Sequence, residues 1–165
     1  MRARRLLCGL TLGAALLQLS CESPSGPGMG GMMAHFLQWS ISRPDQYTMV
    51  QQRLCFCPGG DTAAQVTVRD GIITGIVNDV TKAPLPREQW SAYKSIDDLF
   101  AIIERYSHDP DASVDARYDD VDGYPTWISV DPIPQAVDDE FTYTCAHVKR
   151  IPAQPAPRHG KDAAP

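Results

Sequence analysis

The cysteines carry the most specific chemical information in this chain, and there are five of them. Cys21 follows Leu19 and Ser20 at the end of an apolar stretch. A small residue before a cysteine at that place is what a bacterial lipoprotein signal requires, because the processing enzyme cuts ahead of a thiol that already carries diacylglycerol. Gln18 departs from the pattern, standing where an aliphatic side chain is usual, with Leu17 one place earlier. Cys8 leaves with such a signal. Cys55 and Cys57 lie two apart in a β-rich run, so their side chains share a face. With Cys145 they make three thiols for an oxidising compartment, and two pairings are open. Cys55 can bond Cys57 in a tight ring, or one of them can bond Cys145 if the first and last strands are neighbours. The second closes a loop of about 90 residues, worth roughly 4 kcal/mol on the chain-entropy account. The competing chemistries are redox and metal binding. Cys-Phe-Cys inside a strand lacks the helix start that stabilises the thiolate of a thiol-disulfide enzyme. Zinc would need four ligands, and His147 is the one obvious further donor. A structural disulfide is the expectation.

Six aspartates fall within residues 109–122: Asp109, Asp111, Asp115, Asp119, Asp120 and Asp122. Calcium takes oxygen ligands from such loops, and Asp119, Asp120 and Asp122 are its candidates here. The fragment Asp120-Val121-Asp122-Gly123 does not complete a calcium loop, and Tyr118 stands where the first ligand should be. A solvated turn made by Asp and Gly is the simpler reading, with a calcium-binding module as an alternative. His35, His108, His147 and His159 form no recognisable motif, and no Gly-x-Ser-x-Gly, His-Glu-x-x-His or P-loop pattern occurs. No catalytic residue or cofactor is therefore nominated, and no metal ligand beyond those three weak calcium candidates. A small secreted hydrolase with a carboxylate base is the enzymatic alternative. Thioethers such as those of Met29, Met32 and Met33 are soft ligands for copper, but these lie in a Pro/Gly-rich linker without a His-Met repeat. Trp39, Trp90 and Trp127 are expected in the core rather than in a cleft.

These groups must be positioned by one domain, since 165 residues do not make two comfortable ones. The formal charge of -5 and the acidic pI of about 5.2 argue against a nucleic-acid binder. No apolar run reaches the length of a membrane span. Arg2, Arg4 and Arg5 precede 14 apolar-patterned residues, 6–19, the length of a signal core. The Arg4-Arg5 pair lacks the rest of a twin-arginine motif. Removing residues 1–20 takes away those three arginines and no acid, which moves the charge from -5 to -8. Attachment to a membrane would then depend on acyl chains and not on basic patches. The expected organisation is a lipoprotein-type signal peptide over residues 1–20, a flexible tether over 21–33, a single domain over 34–151 and a disordered Pro/Ala tail over 152–165.

Within the domain, residues 33–41 can form a short helix that Pro44 stops. Residues 47–57 read as a strand. Residues 65–69 and 72–77 flank Asp70-Gly71, the signature of a primed hairpin turn, in a register that opposes Val68 to Ile73 and Thr67 to Thr74. Residues 82–90 are a proline-containing connection. Ser95 is a plausible N-cap, with Asp97 and Asp98 in the first helical turn and an apolar stripe running from Ile96 to Tyr106. Residues 113–118 and 126–131 form a second hairpin, and 140–151 a last strand with Phe141, Tyr143 and Cys145 on one face. The order helix, three strands, helix, three strands specifies an α+β fold: a mostly antiparallel sheet with a helix packed on one face.

Several pieces occur in a recognisable order: Tyr47 ahead of Cys55-Phe56-Cys57-Pro58, then Val66-Thr67-Val68-Arg69-Asp70-Gly71, Ile96-Asp97-Asp98-Leu99-Phe100, Gly123-Tyr124-Pro125-Thr126, and Asp138-Asp139-Glu140 before Tyr143. In this the chain resembles domain-of-unknown-function family 6174, a set of bacterial secreted or lipid-anchored proteins, over about residues 36–148. The resemblance implies export and this α+β order, and no activity, substrate or cofactor. Cys145 departs from it. The functional expectation is an exported protein, anchored by lipid at the cell envelope. It would act as a non-catalytic binding or assembly module, with an envelope protein as one possible partner and no nucleic acid.

Overall fold

The computed structural model of the chain describes residues 29–57, 61–136 and 138–152. The expected signal peptide, Cys21, the first part of the expected tether, His159 and the residues beyond 152 lie outside the described residues. Helix α1 spans Met29–Ser42 and is followed by strands β1 (Gln46–Cys55), β2 (Ala64–Arg69) and β3 (Ile72–Asn78). A 3-10 turn, Arg87–Ala92, leads into helix α2 (Ile96–Ser107), and strands β4 (Ser113–Tyr118), β5 (Pro125–Asp131) and β6 (Phe141–Arg150) complete the order. The six strands form one sheet in the order β3-β2-β1-β6-β5-β4, with every neighbouring pair antiparallel. Two meanders thus meet where the first strand pairs with the last.

Alternation decides which face is covered. Tyr47, Met49 and Gln51 of β1 are buried together with Val66 and Val68 of β2 and Tyr143 and Cys145 of β6. Both helices contribute to that core, not one alone. Trp39 of α1 meets Tyr47 edge-on, with ring centroids 5.6 Å apart, and α2 buries Ile96, Leu99, Phe100 and Ile103. The two helices are tied through Asp97, which accepts the Trp39 indole N–H at 3.2 Å and pairs with Arg43 at 2.7 Å.

Helix α2 starts as its sequence dictates. The Ser95 hydroxyl accepts the Asp98 N–H, and the Asp98 carboxylate accepts the Ser95 N–H, a reciprocal cap. Asp70 and Gly71 both take positive φ, as the hairpin turn between β2 and β3 needs. Val68 opposes Ile73, but a bulge then sets Gly75, not Thr74, opposite Thr67. Helix α1 begins four residues ahead of the expected Met33, so Met29, Gly30, Gly31 and Met32 belong to the helix and not to the linker. The proline-containing connection over 82–90 carries a bridge from Pro84 to Val77 and runs into the 3-10 turn Arg87–Ala92. Among the described residues no helix is long and apolar enough to cross a membrane.

Candidate binding site

The cysteines separate into two places. Cys55 and Cys57 lie at disulfide distance, with Cα atoms 5.2 Å apart, and Phe56 between them is 82% exposed. Strands β1 and β6 are neighbours, yet their register puts Cys55 opposite Phe141 and Cys145 opposite Gln51. Cys145 is therefore out of reach of both and is a buried free thiol, its Sγ 3.5 Å from the Met49 sulfur. Burial pushes this thiol up to about 12.

The acidic loop is a docked turn. Asp119 accepts the N–H groups of Val121 and Asp122 with one carboxylate oxygen, and its carbonyl accepts from Gly123. The carbonyls of Asp120 and Val121 accept from the Gln38 side chain, and that of Asp122 accepts from Ser42. The oxygens that a cation would use are thus partly committed to the turn and to α1. Gly123 makes the close approach possible: its φ is +79°, and a Cβ there would stand 2.7 Å from the His35 carbonyl oxygen.

The histidines are dispersed. His35 stacks on Tyr118 at 4.2 Å, His108 caps the end of α2, and exposed His147 occupies a positive-φ position in β6. Among the described residues no three His, Cys, Asp or Glu side chains converge on one point. Trp39 is in the core. Trp90 is half-buried under the Arg87 guanidinium at 3.7 Å, and Trp127 lies half-buried beside Arg117 at 4.8 Å.

A different set of residues does converge. At the end of β1, the start of β6 and one side of α2 lies a cavity of about 470 Å³, and Arg53, Lys94, Arg105, Tyr106, Phe141 and Tyr143 are among its walls. Arg53 is the fourth inward-facing position of β1 after Tyr47, Met49 and Gln51. Its guanidinium lies 5.3 Å from the Phe141 ring centre and 5.7 Å from that of Tyr143. Lys94 is fixed from below by Gln51, which is fully buried. The Gln51 amide donates to the Lys94 carbonyl at 3.0 Å, and its oxygen accepts the Lys94 N–H at 2.8 Å. Arg105 comes from the last turn of α2, where a cation is favoured, and lies 5.4 Å from the Tyr106 ring. Asp98 also lines the cavity, but its carboxylate is engaged by the backbone and hydroxyl of Ser95. Burial raises the Tyr143 hydroxyl above its ordinary value although Arg53 lowers it, so it is a hydrogen-bond donor at neutral pH.

Comparison with known families gives one match. The profile described as "Family of unknown function (DUF6174)" matches residues 32–150, more than half of the chain. The chain belongs to this family. No curated protein and no solved structure matches it. In this DUF6174 chain the match begins within α1 and ends with β6, so it takes in both helices, the whole sheet and every wall of the cavity.

The cavity residues escape a linear reading because they come from positions 53, 94, 105, 141 and 143. One signal was available. In the alternation of β1, Gln51 and Arg53 continue the inward series of Tyr47 and Met49, and two polar side chains at the inward end of a strand mark a place where the core opens.

Proposed function

We propose that this DUF6174 protein is an exported, lipid-anchored component of the cell envelope that works as a non-catalytic binding module. The cavity between β1, β6 and α2 is its binding site. The cavity carries this reading, because its polar groups are an arginine on β1, a lysine, an arginine on α2 and two tyrosine hydroxyls. Such groups hold a ligand by charge and hydrogen bonds. The one acid beside them, Asp98, is committed to the helix cap and is poorly placed to act as a base.

Support for a membrane-proximal position comes from the N-terminal pattern and from α1. This helix contains no Asp, Glu, Lys or Arg. Met33, Leu37 and Ile41, spaced four apart, are 45%, 56% and 88% exposed. An uncharged helix that starts eight residues after an acylated cysteine and presents an apolar outer face from Met33 onward suits a position near lipid.

The test is fractionation of cells that produce the full chain or its Cys21→Ser variant, followed by detergent phase partitioning. The wild-type chain is expected in the membrane fraction and the detergent phase, with an intact mass that begins at Cys21 plus acyl chains. An aqueous, unacylated wild-type chain that behaves like Cys21→Ser would contradict the anchor.

A further inference from the structure

Arg53 is the most unusual charged group in the fold. Its Nε is fully shielded from water and has no hydrogen-bond partner among the described residues. A buried guanidinium N–H without an acceptor is costly, and such exceptions in a native fold call for a missing partner. The rings of Phe141 and Tyr143 offset part of the cost through their π faces, but a ring does not accept as an oxygen does. The ion pairs formed among the described residues are Arg43–Asp97 and Lys82–Asp79, so Arg53, Lys94 and Arg105 have no carboxylate of the described residues within salt-bridge distance. Three unpaired cations in one cavity stand out on a chain whose net charge is -5. Asp139, two residues before β6, also has both carboxylate oxygens buried without a partner among the described residues, and it forms no ion pair with Arg53.

Three cations around one cavity, none paired with a carboxylate among the described residues, call for an acceptor with negative charge, and the surrounding walls say what it is attached to. Ile102, Tyr106, Phe141 and Tyr143 give the cavity an apolar side. The volume of about 470 Å³ falls in the range of small-molecule sites. The planar fork of a guanidinium suits carboxylate and phosphate alike. From this geometry we infer that the cavity binds a small amphipathic acid. Its carboxylate or phosphate sits on Arg53, between Lys94 and Arg105, and its apolar or aromatic body lies along Phe141, Tyr143 and Tyr106. This names the ligand class for the binding module proposed above, and rests on that reading.

The test is site-resolved NMR titration of the full chain with four probes: benzoate, phenyl phosphate, benzyl alcohol and inorganic phosphate. Benzoate or phenyl phosphate is expected to move the signals of Arg53, Lys94, Arg105 and Tyr143 saturably. The stronger of the two identifies the head group. Benzyl alcohol and inorganic phosphate, each lacking one half of the ligand, bind at least about tenfold more weakly. Arg53→Gln lowers affinity about tenfold or more. Lys94→Gln and Arg105→Gln each lower it by a smaller factor and keep the inference testable if Arg53→Gln does not fold. Benzyl alcohol binding as well as benzoate, indifferent to the arginine variants, would overturn the acid while leaving a binding module. Silence of all four probes at this cavity would overturn the inference and remove the cavity as the module's site.

Discussion

Gln51 and Lys94 are joined at two points: the buried carboxamide donates to the Lys94 carbonyl and accepts its N–H. With the Tyr47 hydroxyl, which accepts the Ile96 N–H, this side chain holds the segment before α2 on the sheet, and so supports both the Ser95 cap and the Lys94 wall of the cavity. Gln51→Met has similar bulk but leaves two backbone groups without partners. The expected loss is about 2–3 kcal/mol, read from urea unfolding midpoints at unchanged slope. The same variant should also shift the NMR signals of Lys94 and Arg53, which a loss confined to distant packing would leave in place.

Gly123 and Gly71 separate two costs of adding a methyl group. Both have positive φ, near +79° and +77°. At Gly71 the nearest atom to a new Cβ is 3.8 Å away, whereas at Gly123 the His35 carbonyl and Gln38 crowd it at 2.7 and 2.9 Å. Gly71→Ala should cost about 1 kcal/mol, the conformational term alone. Gly123→Ala should cost roughly 2–4 kcal/mol, because the loop must also leave α1 and give up the Gln38 hydrogen bonds. Equal midpoints for the two variants would show that the loop does not rest on the helix.

Cys145 makes stability fall at alkaline pH. Its thiol titrates near 9.0 when unfolded and is raised to about 12 in the fold by burial. The folded state holds the proton more tightly, so this stabilisation is complete below pH 9 and is lost as pH rises toward 12. At pH 10 the loss attributable to this thiol is about 1.4 kcal/mol. Unfolding free energies of wild type and Cys145→Val, each referred to its own value at pH 7, should diverge from pH 9 upward. Native wild-type chain at pH 8 should resist alkylation at Cys145 until denaturant is added.

Millimolar calcium is expected to leave the melting temperature unchanged. The Asp119 carboxylate and three loop carbonyls already accept hydrogen bonds from the turn, Gln38 and Ser42. A rise on calcium addition, abolished by Asp119→Ala, would mean that the loop opens to take the ion.

Local chemistry made much of this fold legible in the sequence. Asp70-Gly71 marked its hairpin, Ser95 with Asp97 and Asp98 marked the start of α2, and Phe141, Tyr143 and Cys145 alternate as read. The misses have local causes too. Gly30 and Gly31 looked like linker because glycine weakens a helix, yet α1 includes them; packing outweighs propensity where Met32 is buried against the core. The bulge at Thr74 shifts one hairpin pair because register beyond the turn depends on the neighbouring strand as well as on the turn itself. Gly123 reads as a turn residue, but its approach to His35 depends on how a helix 80 residues earlier lies over the loop. The cavity was the least legible. Arg53, Lys94 and Arg105 look like ordinary surface charges until the sheet order brings β1 beside β6 and α2 across them.

The most direct test of a binding module is native mass spectrometry of the full chain released gently from the envelope fraction, wild type beside Arg53→Gln. The wild-type chain should carry a bound small molecule of one defined mass, and Arg53→Gln, folded by circular dichroism, should lack it. Wild-type and variant chains of identical, ligand-free mass, from cells harvested in several growth conditions, would contradict a resident ligand on Arg53.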